Sequence, residues 1–377
     1  MSNNSFSWAI QHGLVREVTG SLQSLWIETP GFCNLACPYC FACGGEALDK
    51  MRLMDEETIM EVLEQAKAMG VASVGIPGAG EPLLPVNRDL TMRIIRKCAE
   101  LGMFVSLFTT GEFITRELAR ELYGLPVELL VKCNALDSEL QDRFVSDESR
   151  GRVVRGYGAK RNACVSMLME EGFADRGKCQ SMFGRKSRLA LVTPIMSGGA
   201  DGLSNLTEVE KVFRFCRDNN LIFDCDSVLK RGRGASCKLH ADDASYKEVV
   251  AKLQIIDREV YGNDWPLTQS YVGGPPCDRY HHHLYVTQYG DIHPCIGAMG
   301  VKLGNARDTT LLQAWESLEM RVIRSRSYGG VCGEECANFS EGACNSCLGR
   351  RTVGLTNESL RKHLKVQTIG CWNCKRK

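Results

Sequence analysis

The stretch Cys33-Asn34-Leu35-Ala36-Cys37-Pro38-Tyr39-Cys40 places three cysteines at C-x3-C-x2-C spacing. Three thiolates on one short loop can hold three corners of a cubane iron-sulfur cluster, whereas four are needed to close it. One iron of a four-iron cluster is then left without a protein ligand. Zinc ligation and ordinary burial as core thiols are the other uses of cysteines this closely spaced.

Outward from this loop the chain alternates between short β-rich runs and amphipathic stretches, the signal for parallel strands joined by crossover helices. The run at residues 22–29 leads straight into the cysteines. Asp55 caps a helix reaching Met69, with Gly70 as its stop. Strands are expected at 72–76, 104–109, 127–134, 188–194 and 221–228. Helices are expected at 87–101, 115–122, 159–171, 206–219 and 245–261. This spacing suits an open partial barrel and a doubly wound sheet equally.

The second strand runs into Ile76-Pro77-Gly78-Ala79-Gly80-Glu81-Pro82, at the strand edge where parallel α/β folds bind ligands. With the aromatic Tyr39 before the third cysteine, the loop reads C-x3-C-x-aromatic-C and resembles the radical SAM superfamily. The resemblance implies an α/β fold, a partial (βα)6 TIM-like barrel. It also implies that the open corner of a [4Fe-4S] cluster binds S-adenosyl-L-methionine. One electron into its sulfonium then releases a 5′-deoxyadenosyl radical that takes hydrogen from substrate. By the same resemblance Gly78, Ala79, Gly80 and Glu81 correspond to the Gly-Gly-Glu-Pro motif that holds the methionine amino group, with Ala79 replacing the second glycine. Strand-end residues Thr110, Lys132, Asn134 and Thr193 would face ribose, carboxylate or adenine.

Over 377 residues, 46 basic against 45 acidic side chains leave a net charge of +1, no electrostatic case for nucleic acid or an anionic membrane. No apolar run approaches the ~18 residues of a membrane span. The polar first residues lack the form of a signal peptide, so a cytoplasmic location is expected. Nineteen cysteines in such a chain argue for cluster or metal binding in place of disulfides.

Eight of them fall from residue 277 onward: Cys277, Cys295, Cys332, Cys336, Cys344, Cys347, Cys371 and Cys374. Eight thiolates are what two fully ligated cubane clusters require. Twelve residues from Cys277 to Gly290 and four more to Cys295 resemble the opening of the SPASM extension. A hairpin at 284–288 and 292–294 is expected there, followed by a helix over 311–324. The downstream spacings of x3, x7 and x2 depart from the family's x2, x5 and x3. Taken in order, Cys332, Cys336 and Cys344 would join Cys371 or Cys374 on an outer auxiliary [4Fe-4S] cluster. Cys347 would join Cys277 and Cys295 on an inner one. A zinc ribbon from Cys344/Cys347 and Cys371/Cys374 is the competing assignment. The remaining cysteines read as core residues, with Cys43 nearest the loop. His281-His282-His283 reads as exposed polar residues at the hairpin entrance. The segment Lys230-Arg231-Gly232-Arg233-Gly234 reads as a solvated loop or a lining of the substrate mouth.

This organisation predicts an N-terminal extension (1–20), a radical SAM partial barrel (21–264) and a small cysteine-rich SPASM-like domain (265–377). The resemblance implies hydrogen abstraction followed by oxidation of the substrate radical by an auxiliary cluster, fed by an external flavodoxin- or ferredoxin-type electron donor. Peptide or protein maturation is the first expectation for the substrate. About 20 residues ahead of the first strand are fewer than the peptide-recognition domain of many peptide maturases. Ile296, where sulfatase-maturing relatives carry aspartate, weakens that subclass. Dehydrogenation or epimerisation of a sugar-like natural-product intermediate is the alternative, and a non-catalytic iron-sulfur carrier or redox sensor is the alternative from another class. Asp278 and Asp291 are the candidate bases, and Arg279 and Tyr280 are expected to face substrate.

Overall fold

The structure is a computed structural model that describes residues 20–198, 202–262, 279–325 and 357–358. The chain divides into two compact units, one of residues 28–48 with 75–268 and the other of residues 1–27, 49–74 and 269–377. In chain order the early elements are β1 (Ser24–Ile27), α1 (Glu56–Ala68), β2 (Ser73–Ile76), α2 (Pro85–Glu100), β3 (Phe104–Thr109) and α3 (Arg116–Tyr123). Then come β4 (Val127–Lys132), α4 (Ser138–Phe144), α5 (Tyr157–Glu170), α6 (Arg176–Phe183) and β5 (Leu189–Ile195). They are followed by α7 (Leu206–Asp218), β6 (Ile222–Ser227) and α8 (Asp243–Tyr261). The last elements are β7 (His283–Val286), β8 (Asp291–His293), β9 (Gly304–Asn305), α9 (Leu311–Trp315) and α10 (Leu318–Ser325).

In the unit of residues 28–48 and 75–268, β3, β4, β5 and β6 pair in parallel, with Leu107 beside Leu129, Leu129 beside Leu189 and Leu191 beside Phe223. Parallel strands are covered on both faces, which is why their sequences are almost continuously apolar. Val105, Leu107, Leu129, Val131, Leu191 and Phe223 are each 1% exposed or less. Two helices between β4 and β5, α4 and α6, go beyond the sequence expectation of one. Each has an aspartate at its N-cap, Asp137 accepting from the Leu140 amide at 2.7 Å and Asp175 from the Lys178 amide at 3.0 Å. Arg188, fully buried, closes the connection into β5: its guanidinium donates to the carbonyls of Leu122, Tyr123, Leu125 and Val127 at 2.7–3.0 Å.

In the other unit β1 lies parallel to β7, which turns at Gly290 into antiparallel β8 and then β9. The hairpin falls where expected. Gly290 has φ +83°, and a Cβ there would stand 2.8 Å from Asn305 Oδ1. The single helix expected over 311–324 is broken: a capping box of Thr310 and Gln313 starts α9, which ends at Trp315, and α10 restarts at Leu318. The histidine run is not exposed as expected. His282 and His283 are each 1% exposed, and His283 sits within β7, its Nδ1 3.2 Å from Ser24 Oγ and its ring edge-on to Trp26. Among the described residues no helix is long and apolar enough to cross a membrane.

Candidate active site

Cys33, Cys37 and Cys40 lie on the loop that follows β1, all three partly exposed with free thiols. The loop is pinned against the turn after β2. The Glu81 amide donates to the Phe32 carbonyl at 2.9 Å, and Asn87 Nδ2 donates to the carbonyls of Pro30, Phe32 and Glu81 at 2.8–3.1 Å. A Cβ on Gly80 would stand 2.2 Å from the Phe32 carbonyl oxygen, and one on Gly44 would stand 2.8 Å from the Ala79 oxygen. Only hydrogens fit between these two backbones. Gly78 makes the turn itself, with φ +71°.

Glu81 is 1% exposed and ties two strand ends together. Its Oε1 accepts from the Leu83 amide at 3.0 Å and from Thr109 Oγ1 at 2.6 Å, and its Oε2 accepts from the Thr110 amide at 2.6 Å. Burial raises the Glu81 carboxyl, against which these three donors act. Its oxygens therefore organise the site more than they reach outward. Thr110 is fixed on both sides, its carbonyl accepting from the Tyr157 hydroxyl at 3.1 Å.

Beyond the end of β4, Asn134 is fully buried and donates from Nδ2 to the Tyr39 hydroxyl at 2.7 Å. Its backbone amide donates to Gln141 Oε1 at 2.8 Å, while Asn134 Oδ1 is buried without a protein donor. The Lys132 ammonium lies 4.9 Å from the centre of the Tyr39 ring. Thr193 is also buried, but it pairs with Cys225, whereas Lys132 pairs with Val192 and Val192 with Asp224. Adjacent strand residues face opposite sides, so Thr193 is on the other face of β5 from Val192.

The electrostatics suit a cation. Burial pushes the Cys33 thiol up to about 12, and the neighbouring Cys37 adds to that. Burial and then Cys40 push Cys37 up to about 11, while Lys132 and Arg233 pull it back. Burial lowers Lys132 to about 8 although Cys37 and Cys40 oppose the shift. Thiols so placed stay protonated on their own and would lose their protons to solvent only as a bound metal displaces them. Among the described residues no three His, Cys, Asp or Glu side chains already converge as a ligand set. The fit to a cluster with S-adenosylmethionine rests on the donor chemistry, the glycine cradle and the free acceptor on Asn134.

Sequence reasoning missed Arg233. It is 7% exposed, and its guanidinium donates to the carbonyls of Cys37 and Gly44 and to Glu46, so within a segment whose Lys230 and Gly232 are exposed as a solvated loop would be, Arg233 and Gly234 turn inward. The signal was the pair of flanking glycines, Gly232 and Gly234, which mark a close backbone approach.

Of the eight C-terminal cysteines only Cys295 falls among the described residues, 8% exposed just past β8. Cys277, Cys332, Cys336, Cys344, Cys347, Cys371, Cys374 and Asp278 lie outside them. Asp291 is bonded to Lys302 Nζ at 2.6 Å and to Asn305 Nδ2 at 2.8 Å. Burial works against its ionisation, but these partners hold the carboxyl below its usual range and make it a weak base. Arg279 is 8% exposed and stacks on Trp26 at 4.6 Å, and Tyr280 is 1% exposed.

An open-cornered cysteine loop against a glycine turn on a parallel α/β sheet defines a class, and the comparisons agree with it. Residues 27–165 match the radical SAM superfamily, and residues 277–348 match the SPASM iron-sulfur cluster-binding domain. The chain belongs to the radical SAM superfamily and carries a C-terminal SPASM domain. These domains imply a [4Fe-4S] cluster with S-adenosylmethionine together with auxiliary iron-sulfur clusters.

The PqqA peptide cyclase of Methylorubrum extorquens (strain PA1) is 39% identical over 80 residues, 21% of this chain and 19% of that one. The matched part thus spans 19% of that relative's length. The AdoMet-dependent heme synthase of Methanosarcina barkeri (strain Fusaro / DSM 804) is 22% identical over 347 residues, 82% of this chain and 86% of that one. Streptococcus suis SuiB bound to precursor peptide SuiA shares the fold, with a TM-score of 0.61 at 18% identity over 90% of this chain and 72% of that one.

Proposed function

We propose that this enzyme cleaves S-adenosylmethionine reductively at a cluster held by Cys33, Cys37 and Cys40 and uses the resulting radical to abstract hydrogen from a peptide or peptide-like substrate. Bound there, the cluster supplies the electron that releases a 5′-deoxyadenosyl radical, and auxiliary clusters supply an acceptor for the substrate radical's electron. The observation that carries this reading is the three-thiol loop locked against Gly78, Ala79, Gly80 and Glu81. Gly80 lets the loop backbone approach, Glu81 fixes the ends of β2 and β3, and Asn134 Oδ1 offers a lone pair to the cofactor's donors. Thr110 holds the next strand end in register with them.

In this reading residues 21–264 carry the radical site and residues 265–377 the auxiliary clusters, with residues 1–20 as an extension. The auxiliary ligands are drawn from Cys277, Cys295, Cys332, Cys336, Cys344, Cys347, Cys371 and Cys374. The electron enters from a flavodoxin or ferredoxin. A peptide substrate is supported by the fold shared with peptide-bound SuiB and by the local match to a peptide cyclase.

The test is anaerobic reconstitution followed by reduction with S-adenosylmethionine present. The native protein should form 5′-deoxyadenosine slowly without substrate, and a Cys33/Cys37/Cys40→Ala variant should form none. Turnover in the triple variant would sink the assignment.

A further inference from the structure

The loop after β6 reaches back 196 residues in sequence, from Arg233 to Cys37, to touch the cysteine loop. Arg233 Nε donates to the Cys37 carbonyl at 2.9 Å, Nη2 to the Gly44 carbonyl at 2.9 Å and Nη1 to Glu46 Oε1 at 3.0 Å. These three acceptors lie on both sides of Cys40, so one planar group bridges the stretch that carries the last two thiols. The backbone supports it: the Gly234 amide donates to the Cys40 carbonyl at 3.2 Å. A Cβ on Gly232 would meet the Phe41 carbonyl oxygen at 2.5 Å, and one on Gly234 would meet the Leu229 oxygen at 2.4 Å and the Tyr39 oxygen at 3.0 Å. Outside, Arg150 also holds Glu46, at 2.9 Å.

We propose that Arg233 is a positioning residue, a latch that holds residues 37–46 closed so that the thiols stay gathered, and that the Gly232-Arg233-Gly234 segment exists to seat it. The two ends of the loop are tied down without it, the Gly45 amide donating to the Gly31 carbonyl and the Glu81 amide to the Phe32 carbonyl, each at 2.9 Å. The second half has no strand beside it. Its carbonyls at Cys37, Cys40 and Gly44 all accept from this one segment, the Cys37 carbonyl also from the Cys40 amide at 3.1 Å, and a guanidinium fork is the side chain that can serve separated acceptors at once. A lysine keeps the charge but, as a compact point donor, cannot bridge them. For catalysis the inference rests on the assignment of the three cysteines to the cluster; as a statement about the loop it does not.

The test measures amide hydrogen exchange in the metal-free protein, native against Arg233→Lys, Arg233→Gln and Gly234→Ala. Alongside it runs the rate of iron loss to a chelator from the reconstituted proteins. Opening of the loop should raise exchange across residues 34–46 and speed iron loss, each by roughly tenfold or more, with β3 and β4 as protected as in the native protein. The electron paramagnetic resonance spectrum of the reduced cluster should also change in Arg233→Lys, which a fold-only role would leave alone. Native exchange and native iron loss in Arg233→Lys would overturn the latch. So would a uniform loss of protection through β3, β4 and β5 in all three variants. If instead the Cys33/Cys37/Cys40→Ala protein bound iron like the native one, the cluster assignment would fall while the exchange result stood.

Discussion

Asn134 and Tyr39 are 95 residues apart in sequence, yet Asn134 Nδ2 donates to the Tyr39 hydroxyl at 2.7 Å with both side chains buried. The bond joins the end of β4 to the cysteine loop between its last two thiols. The amide is thereby oriented, and its Oδ1 is the lone pair left over.

Two substitutions separate these roles. Tyr39→Phe leaves the Asn134 amide donor unpaired but does not touch Oδ1, so it should cost stability, about 1–3 kcal/mol. Asn134→Ala removes the oriented acceptor as well. In equilibrium dialysis of the reconstituted protein it should weaken S-adenosylmethionine binding by roughly tenfold. Equal affinity in Asn134→Ala and the native protein would remove Asn134 from the cofactor site.

Glu81 gives a prediction about geometry without charge. Glu81→Gln keeps the shape, but the amide turns a donor toward the Thr110 amide or the Thr109 hydroxyl, which now donate to the carboxylate. Denaturant unfolding should report a loss of about 1–3 kcal/mol with an unchanged m-value. Glu81→Ala should cost more, because all three donors are then buried without an acceptor.

The pair His282 and His283 predicts an acid sensitivity. Burial, reinforced by the Arg279 charge, lowers His282 to about 3 and His283 well below its ordinary range. The unfolded chain takes up these protons near pH 6.5, where the folded chain refuses them. The stability they confer is therefore complete above about pH 6.5 and drains away as the pH falls toward the folded values, by about 1.4 kcal/mol per unit for each imidazole. Melting at about pH 7.5 and about pH 5 should show the drop, and His282→Asn should make it shallower. A melting temperature equal at both values would show that these imidazoles are not buried neutral.

Much of this was legible beforehand, and the exceptions have physical reasons. Asp55 and Thr115 declare their helices because a capping side chain and an apolar period coincide. Asp137 and Asp175 cap helices too, but one of these buries only Gln141 and Phe144 and the other only Cys179, too few apolar positions for a period to stand out, whereas the equally short helix after Thr115 buries Leu118, Ala119 and Leu122. The three cysteines were legible because they sit within one loop, at the spacing that the resemblance assigns to an open cluster. Arg233 was not: what gives it meaning is the carbonyls it meets, and backbone carbonyls carry no sequence signal. His283 misled for a related reason. It is polar by composition, but the pairing of β7 with β1 buries it, and pairing between distant strands is tertiary information.

The Ala79-Gly80 pair carries the sharpest contrast. Ala79 stands where the superfamily motif has glycine, and the structure accepts it: the side chain is fully buried, and the loop approaches through its carbonyl and not its Cβ. Gly80 has no such freedom, because its Cβ would meet main-chain atoms of Gly31 and Phe32 at 2.2–2.7 Å, and backbone cannot swing aside as a flexible side chain can. Ala79→Gly should therefore change iron content and S-adenosylmethionine cleavage little, costing about 1 kcal/mol or less in stability through the freer unfolded chain. Gly80→Ala should push the turn off the loop, leaving less iron per chain after reconstitution and little 5′-deoxyadenosine. Iron and deoxyadenosine assays on the two variants decide it. If Gly80→Ala retained native iron and native cleavage, the close approach of turn and loop would not be what shapes the site.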